Sequence, residues 1–254
     1  MIRFEYYFRR QPQVNSEAFQ AAWHDSLQTA WLEVLNSLGC QRALAVLGQD
    51  NDLFVQMNRA RGGSMQAPFD LVLELWWGTE AEAVQALIGG GLEQLADLVA
   101  AQAAWLDAGQ SPAWLAMEYP QVNPTPEDLV ASAGSVLKKL QFPLQHRRDL
   151  SEAAARQYWL QSHGPLIRQH APDSGIARYV QVHRLDHPVN ANIAAALGFV
   201  CPVYLGHAEV WVGPGGGSQD ARRQASRAAV EDEAKFIDFA ASTLFAGIEI
   251  RLIE

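Results

Sequence analysis

Cysteine is scarce: the 254-residue sequence has two, Cys40 and Cys201. No CxxC pair and no Cys/His cluster occurs, which argues against a zinc site and against a disulfide-stapled secreted fold. Basic residues are in deficit. The 19 Lys and Arg face 28 Asp and Glu, a formal charge of −9. Nucleic acid and anionic membranes both need a basic footprint, so neither is expected as a partner. No apolar run approaches the ~18 residues of a membrane span. The segment Met1–Arg10 carries Arg3 and Glu5 and does not read as a signal peptide. The expected location is the cytoplasm. Several catalytic signatures are missing too: there is no GxSxG elbow, no HExxH and no P-loop. The run Pro214-Gly215-Gly216-Gly217-Ser218 precedes a helical segment but lacks phosphate-binding spacing, and reads as a flexible connection. What is present is ordinary for a globular chain. At 49% hydrophobic and 19% charged residues, the chain can bury a sizeable core without metal or disulfide.

The chain also resembles itself. Superposing Trp23 on Trp159 places Gly39 on Gly175, Arg42 on Arg178 and Val46 on Val182. A slightly smaller offset brings Glu74-Leu75-Trp76-Trp77-Gly78 onto Glu209-Val210-Trp211-Val212-Gly213. A smaller one again brings Asp107, Ser111 and Glu118 onto Asp238, Ser242 and Glu249. The drift runs one way, as small differences in loop length would make it. Two copies are expected, 1–118 and 137–254, joined by a linker at 119–136 that holds Pro120, Pro124 and Pro126. In each copy, alternating and 3.6-residue patterns give the order βαββαβ, the ferredoxin-like unit. Ser16 is the expected N-cap of the first helix and Gly39 its stop. Such a unit carries helices on one sheet face only, so the other face needs a cover. Two tandem units whose sheets face each other form a fused dimeric α+β barrel, a pseudo-dimer within one chain. A cavity is then expected between the sheets, and the barrel edges leave room for a homodimer.

Strand parity sorts the side chains of the second copy. Val180, Val182, Ala208, Val210 and Val212 are expected to meet the helices. Tyr179, Gln181, His183, His207, Glu209 and Trp211 are expected to look into the barrel, where a polar set with an aromatic wall suits a small molecule. An open sheet facing water is the alternative. The first copy has Ala43, Ala45 and Leu47 in place of Tyr179, Gln181 and His183, so the polar site belongs to the second. His163 shares a helical face with Trp159, and Gly164-Pro165 is expected to break or kink the helix behind it. An imidazole there can move protons near neutral pH, or it can be a core histidine bonded to a backbone carbonyl. His183 and Glu209 form either a catalytic pair or a buried structural one. Arg147 and Arg148, beside His146, read as a solvated loop. Nothing in the spacing demands a haem, a metal or any other cofactor, although His170 or His207 would be the axial ligand if haem were bound.

The stretch Tyr158-Trp159-Leu160-Gln161-Ser162-His163-Gly164-Pro165-Leu166 resembles the EthD domain family, in which a Tyr-Trp pair precedes His-Gly-Pro. The likeness continues through Gly175, Tyr179-Val180-Gln181-Val182-His183, Glu209-Val210-Trp211 and the acidic segment Asp232 to Asp238. The first copy is similar to a diverged member that keeps Trp23, Gly39 and Glu74-Leu75-Trp76 but lacks the histidine. The resemblance implies a dimeric α+β barrel. It also implies work on small organics, such as ether degradation or polyketide dehydration; related barrels include cofactor-free oxygenases, isomerases and haem enzymes. The expectation is a cofactor-independent enzyme using acid/base chemistry on a small cyclic or aromatic molecule, as a dehydratase, isomerase, decarboxylase or cofactor-free oxygenase. Its catalytic residues would be His163, His183 and Glu209, and its substrate-binding residues Trp159, Tyr179, Gln181, His207 and Trp211. The alternative is a non-catalytic binding or accessory protein of a catabolic pathway.

Overall fold

The structure is a computed structural model that describes residues 1–49, 52–123 and 129–254. Eight strands close into an antiparallel barrel, with six helices packed outside it among the described residues. The barrel strands are β1 (Ile2–Phe8), β2 (Arg42–Gly48), β3 (Leu71–Trp77), β4 (Ala113–Val122), β5 (Lys138–His146), β6 (Ile176–Arg184), β7 (Gly206–Val212) and β9 (Phe245–Ile253). The two-residue β8 (Ile237–Asp238) pairs with the end of β5. Around the ring the order is β4-β1-β3-β2-β9-β5-β7-β6, and β6 pairs again with β4. Closure removes every long free edge.

Two of the helices pass through a π turn and a third is kinked at a glycine run. Helix α1 runs Ser16–Ala22, turns through Trp23–Leu27 and continues as Gln28–Ser37. Its cap is Asn15, which accepts from the Ala18 amide, and not the expected Ser16. An Asx side chain one residue earlier does the same work. Helix α3 (Glu80–Ala86, Leu92–Ala101) is interrupted by a kink at Leu87–Gly91, where Gly89 and Gly90 leave helical φ/ψ and Gly90 takes a φ of 106°. Helix α4 (Glu152–Tyr158, Trp159–His163, Gly164–Ser174) runs on past Gly164-Pro165, where a break or kink was expected, through a π turn. Pro165 has no amide to donate, and the π turn takes up the change in pairing, with the Gly164 amide bonded to the Trp159 carbonyl.

Helices α2 (Asp52–Ala60) and α5 (Val189–Leu197) have no counterpart in the sequence reading. Each crosses the barrel. Helix α5, from the second half of the chain, packs on β4 and α3. Helix α2, from the first half, reaches β9 and the second half's helices. Helix α6 (Gln219–Glu233), capped by Ser218, lies against α4. The expected linker is partly structural. Tyr119 to Val122 prolong β4, and the Ala131 amide donates to Glu249 at 2.7 Å inside the barrel end. Pro124 and Pro126 lie outside the described residues.

Candidate functional site

The barrel interior is filled with charge. Arg3 sits at its centre, fully buried, and reaches carboxylates on four strands. Its guanidinium grips Glu209 at 2.7 and 3.0 Å, and lies 2.6 Å from Glu5, 3.1 Å from Glu74 and 3.0 Å from Glu118. Lys139 Nζ donates to both oxygens of Glu74 at 2.9 Å and to Glu249 at 3.2 Å. Gln141 donates to Glu74 and Glu209, and His207 Nε2 is 3.1 Å from Glu209. Trp76 lies against Arg3 and Trp211 against Lys139. Burial pushes Glu5 well above the ordinary carboxylate range and Glu74 up to about 8. Burial opposes the charge of Glu209 as well, but Arg3 and Lys139 outweigh it and hold its pKa down. Burial drops His207 to about 4, so its imidazole is neutral near pH 7. Glu5, Glu74 and His207 bring ligand atoms within 4.8 Å of one another. Arg3 and Lys139 already supply the cations there, and a metal ion would sit against them. The expected cavity between the sheets is therefore replaced by an ion-pair core.

The parity reading needs a second correction. In the β6–β7 ladder Tyr179 faces Val210 and Gln181 faces Ala208, while Val180 faces Glu209 and Val182 faces His207. Paired residues share a sheet face. Tyr179, Gln181 and His183 therefore point outward, under helix α4. His207, Glu209 and Trp211 point inward, with Val180 and Val182. His183 and Glu209 lie on opposite faces and make no pair. Alternation fixes the two sets within each strand but not the register between strands.

The outward face holds a cavity of about 640 Å³, between the second-half sheet and helices α4, α6 and α2. Leu140, Phe142, Ala208 and Val210 form its floor, and Trp159, His163, Ile167, Ala225 and Ala229 its walls. His163 is buried in the wall. Its Nδ1 lies 2.9 Å from Asp232, which also accepts from Tyr158 at 2.7 Å and Lys235 at 2.9 Å. Burial works against the Asp232 carboxylate, but the bonds from His163, Lys235 and Tyr158 prevail and lower its pKa. An ionised carboxylate only accepts, so Nδ1 carries the hydrogen and Nε2 is left for the cavity.

Tyr179 is the second polar group on this wall. Its hydroxyl accepts from Trp159 Nε1 at 3.1 Å and Gln181 Nε2 at 3.2 Å. Both lone pairs are taken, so what it has left is its proton. Burial raises its pKa far above neutrality, which keeps that proton in place. Gln181 also donates to the Trp159 carbonyl at 2.8 Å and thereby fixes the π turn. Its amide oxygen then accepts from His183 Nε2 at 3.0 Å. His183 is stacked on Trp159 at 4.2 Å, and burial lowers its pKa to about 3. Of the expected site residues, the cavity brings together His163, Trp159 and Tyr179. Gln181 and His183 stand behind Trp159 as supports. Glu209, His207 and Trp211 are inside the barrel.

Two further residues were not foreseen. Arg61, which follows α2, makes a bidentate pair with Glu233 of α6 at 2.8 and 3.0 Å. The pair lines the cavity and latches α2 across it. Helix α2 has no fully buried side chain, whereas α5 buries Val189, Ile193 and Leu197. An Arg61→Ala variant is therefore expected to lose about 3 kcal/mol, because Glu233 is left buried and unpaired. Amide exchange across Asp52–Ala60 should accelerate while that in Val189–Leu197 does not. Equal acceleration in both helices would contradict the latch. Elsewhere, Arg147 pairs with Asp149 at the surface, as a solvated loop should. A groove of about 760 Å³ near Arg9 and Arg10 offers fewer free groups. Arg10 is paired with Asp70, and Arg9 donates to the Ala67 and Pro68 carbonyls.

Fold and site together define an α+β barrel protein with a mainly apolar cavity and a His–Asp pair in its wall. Residues 147–240 match the family model of the EthD domain, the family that the Tyr-Trp and His-Gly-Pro stretch resembles. The match covers His163, Tyr179 and Asp232. It points to a small-molecule-related protein, catalytic or accessory, and to no particular reaction. No curated protein matches the chain. No helix among the described residues is long and apolar enough to cross a membrane.

Proposed function

We propose that this protein is an enzyme acting by acid/base chemistry on a small cyclic or aromatic organic molecule bound in the second-half cavity. The observation that carries the reading is the His163–Asp232 pair, with Nδ1 committed to the carboxylate and Nε2 left for the cavity. Tyr179 offers its proton to a substrate oxygen from the same cavity. For a β-hydroxy ketone the step balances without a cofactor. Tyr179 holds the carbonyl oxygen, and His163 Nε2 takes the α-proton. The enolate expels the β-hydroxyl, which leaves as water with the proton that His163 returns. Isomerisation uses the same groups, with the proton returned to another carbon.

The chain also reads best as two fused ferredoxin-like units, 1–118 and 137–254. The strand orders β4-β1-β3-β2 and β9-β5-β7-β6 support this. So do matching turns in which Ser111 donates to the Asp107 carbonyl and Ser242 to that of Asp238. Under that correspondence, Leu27 replaces His163, Trp31 replaces Ile167, Leu35 replaces Ala171 and Leu38 replaces Ser174. Those first-half residues belong to a continuous apolar core. Larger side chains fill in the first unit the space that the second leaves open.

The test is a panel of cyclic β-hydroxy ketones and aromatic analogues incubated with purified protein, with and without oxygen, and read by mass spectrometry. A product lighter by one water, or an isomer at unchanged mass, formed equally without oxygen, is the expected result. Strictly oxygen-dependent product would replace the reading by an oxygenase. Saturable binding without product would make the protein a binder.

A further inference from the structure

The glycine run Pro214 to Ser218, expected to be a flexible connection, is tied to the end of helix α4 and holds a residue of the cavity lining, Arg222. The Gly213 amide donates to the Gly175 carbonyl at 2.9 Å and the Gly217 amide to that of Asp173 at 3.0 Å. Gly175 and Gly216 have positive φ, 73° and 121°. A Cβ on Gly175 would lie 2.4 Å from the Gly215 carbonyl oxygen, and one on Gly216 2.8 Å from that of Asp173. Only glycine permits this approach. The loop's own carbonyls then hold Arg222: Nε donates to Gly217 at 3.1 Å and Nη2 to Pro214 at 3.3 Å. These bonds aim the guanidinium at the cavity mouth, beside Ser174 and Val212.

The cavity is thus a slot with two different ends. Helices α4 and α6 run antiparallel along it. His163 and Ser174 both line it, and on one helix they stand about 16 Å apart along the axis. The wall between them is mainly apolar, with His170 and Ser226 as its polar members. The one carboxylate in the lining, Glu233, is engaged by Arg61. Among the described residues no carboxylate pairs with Arg222, whose bonds to protein are to backbone carbonyls. The geometry points to an elongated, largely apolar organic anion as the ligand, with a carboxylate-type group at Arg222 and its reacting end at His163. This inference rests on the second-half cavity being the ligand site.

Two dyes of one skeleton separate the inference from that premise: the anionic 1-anilinonaphthalene-8-sulfonate and the neutral N-phenyl-1-naphthylamine. Both are expected to bind, and both to be lost in Ala229→Trp, which fills the slot. Arg222→Gln should weaken the anionic dye about threefold to fivefold, the equivalent of one solvent-exposed ion pair, and leave the neutral dye unchanged. Equal behaviour of the two dyes in Arg222→Gln would overturn the anion preference and leave the cavity standing. Failure of both dyes to bind the parent protein, or their survival in Ala229→Trp, would overturn the cavity itself and the inference with it.

Discussion

An Arg3→Leu protein is expected to lose about 3–5 kcal/mol of unfolding free energy at neutral pH, read from urea denaturation. Arg3 is fully buried and reaches Glu5, Glu74, Glu118 and Glu209, so one side chain ties four strands from both halves of the chain. Leucine fills much of the volume but leaves Glu209 with one cation, Lys139 at 3.4 Å, beside its bonds to Gln141 and His207. The pH dependence follows from Glu209, which Arg3 and Lys139 hold below the ordinary carboxylate range against the pull of burial. Its depressed pKa contributes stability that is present above the unfolded pKa and lost as pH falls through the folded one. In the variant the largest cause of that depression is gone, and Lys139 and His207 alone act against burial. The gap between variant and parent should therefore shrink as pH falls below about 4. Arg3→Leu combined with Glu209→Gln should recover part of the loss at neutral pH, because it removes the orphaned charge. A loss under about 1 kcal/mol would mean that the core tolerates unpaired carboxylates, and would refute this account of it.

This core shows where sequence reading stops. The barrel and its strands were legible. Alternation marks strands. The assignment of faces was not. Tyr179-Gln181-His183 and His207-Glu209-Trp211 look alike in sequence, each polar and aromatic at every second position. A one-residue register difference between β6 and β7 sends one set under the helices and the other into the barrel. Glu74 reads as an ordinary strand carboxylate, because the Lys139 that pairs with it comes from β5 in the other half of the chain. Asp232 lay within the acidic segment of the family likeness, yet nothing local shows that it reaches His163. Arg61 gave no signal at all, since α2 crosses from the first half to a cavity belonging to the second. The π turn at Trp159–His163 has the pattern of an α-helix and differs only in pairing. In each case the missing information is long-range packing, which periodicity does not encode.

His163→Ala is expected to lower kcat by about 10²–10⁴ on whichever compound the panel identifies, with a folded protein and a KM changed far less. The fold should tolerate the change, because Asp232 keeps its bonds from Tyr158 and Lys235 and is not left bare. The cost in stability should be no more than about 1–2 kcal/mol. A structural histidine would behave in the opposite way, with stability falling and kcat holding. His163→Gln sharpens the contrast. An amide can still donate to Asp232 and restore packing, but it cannot take a proton, so stability should return without kcat. Asp232→Asn should fall between, since the imidazole remains while the group that fixes its tautomer is lost. Tyr179→Phe should lower kcat by about 10–10², because the hydroxyl's free proton is aimed at the substrate oxygen while its accepted bonds serve only Trp159 and Gln181. Full turnover in His163→Ala, measured under the same conditions, would remove the imidazole from the chemistry and leave the cavity with Tyr179 as its only proton donor of the proposed pair.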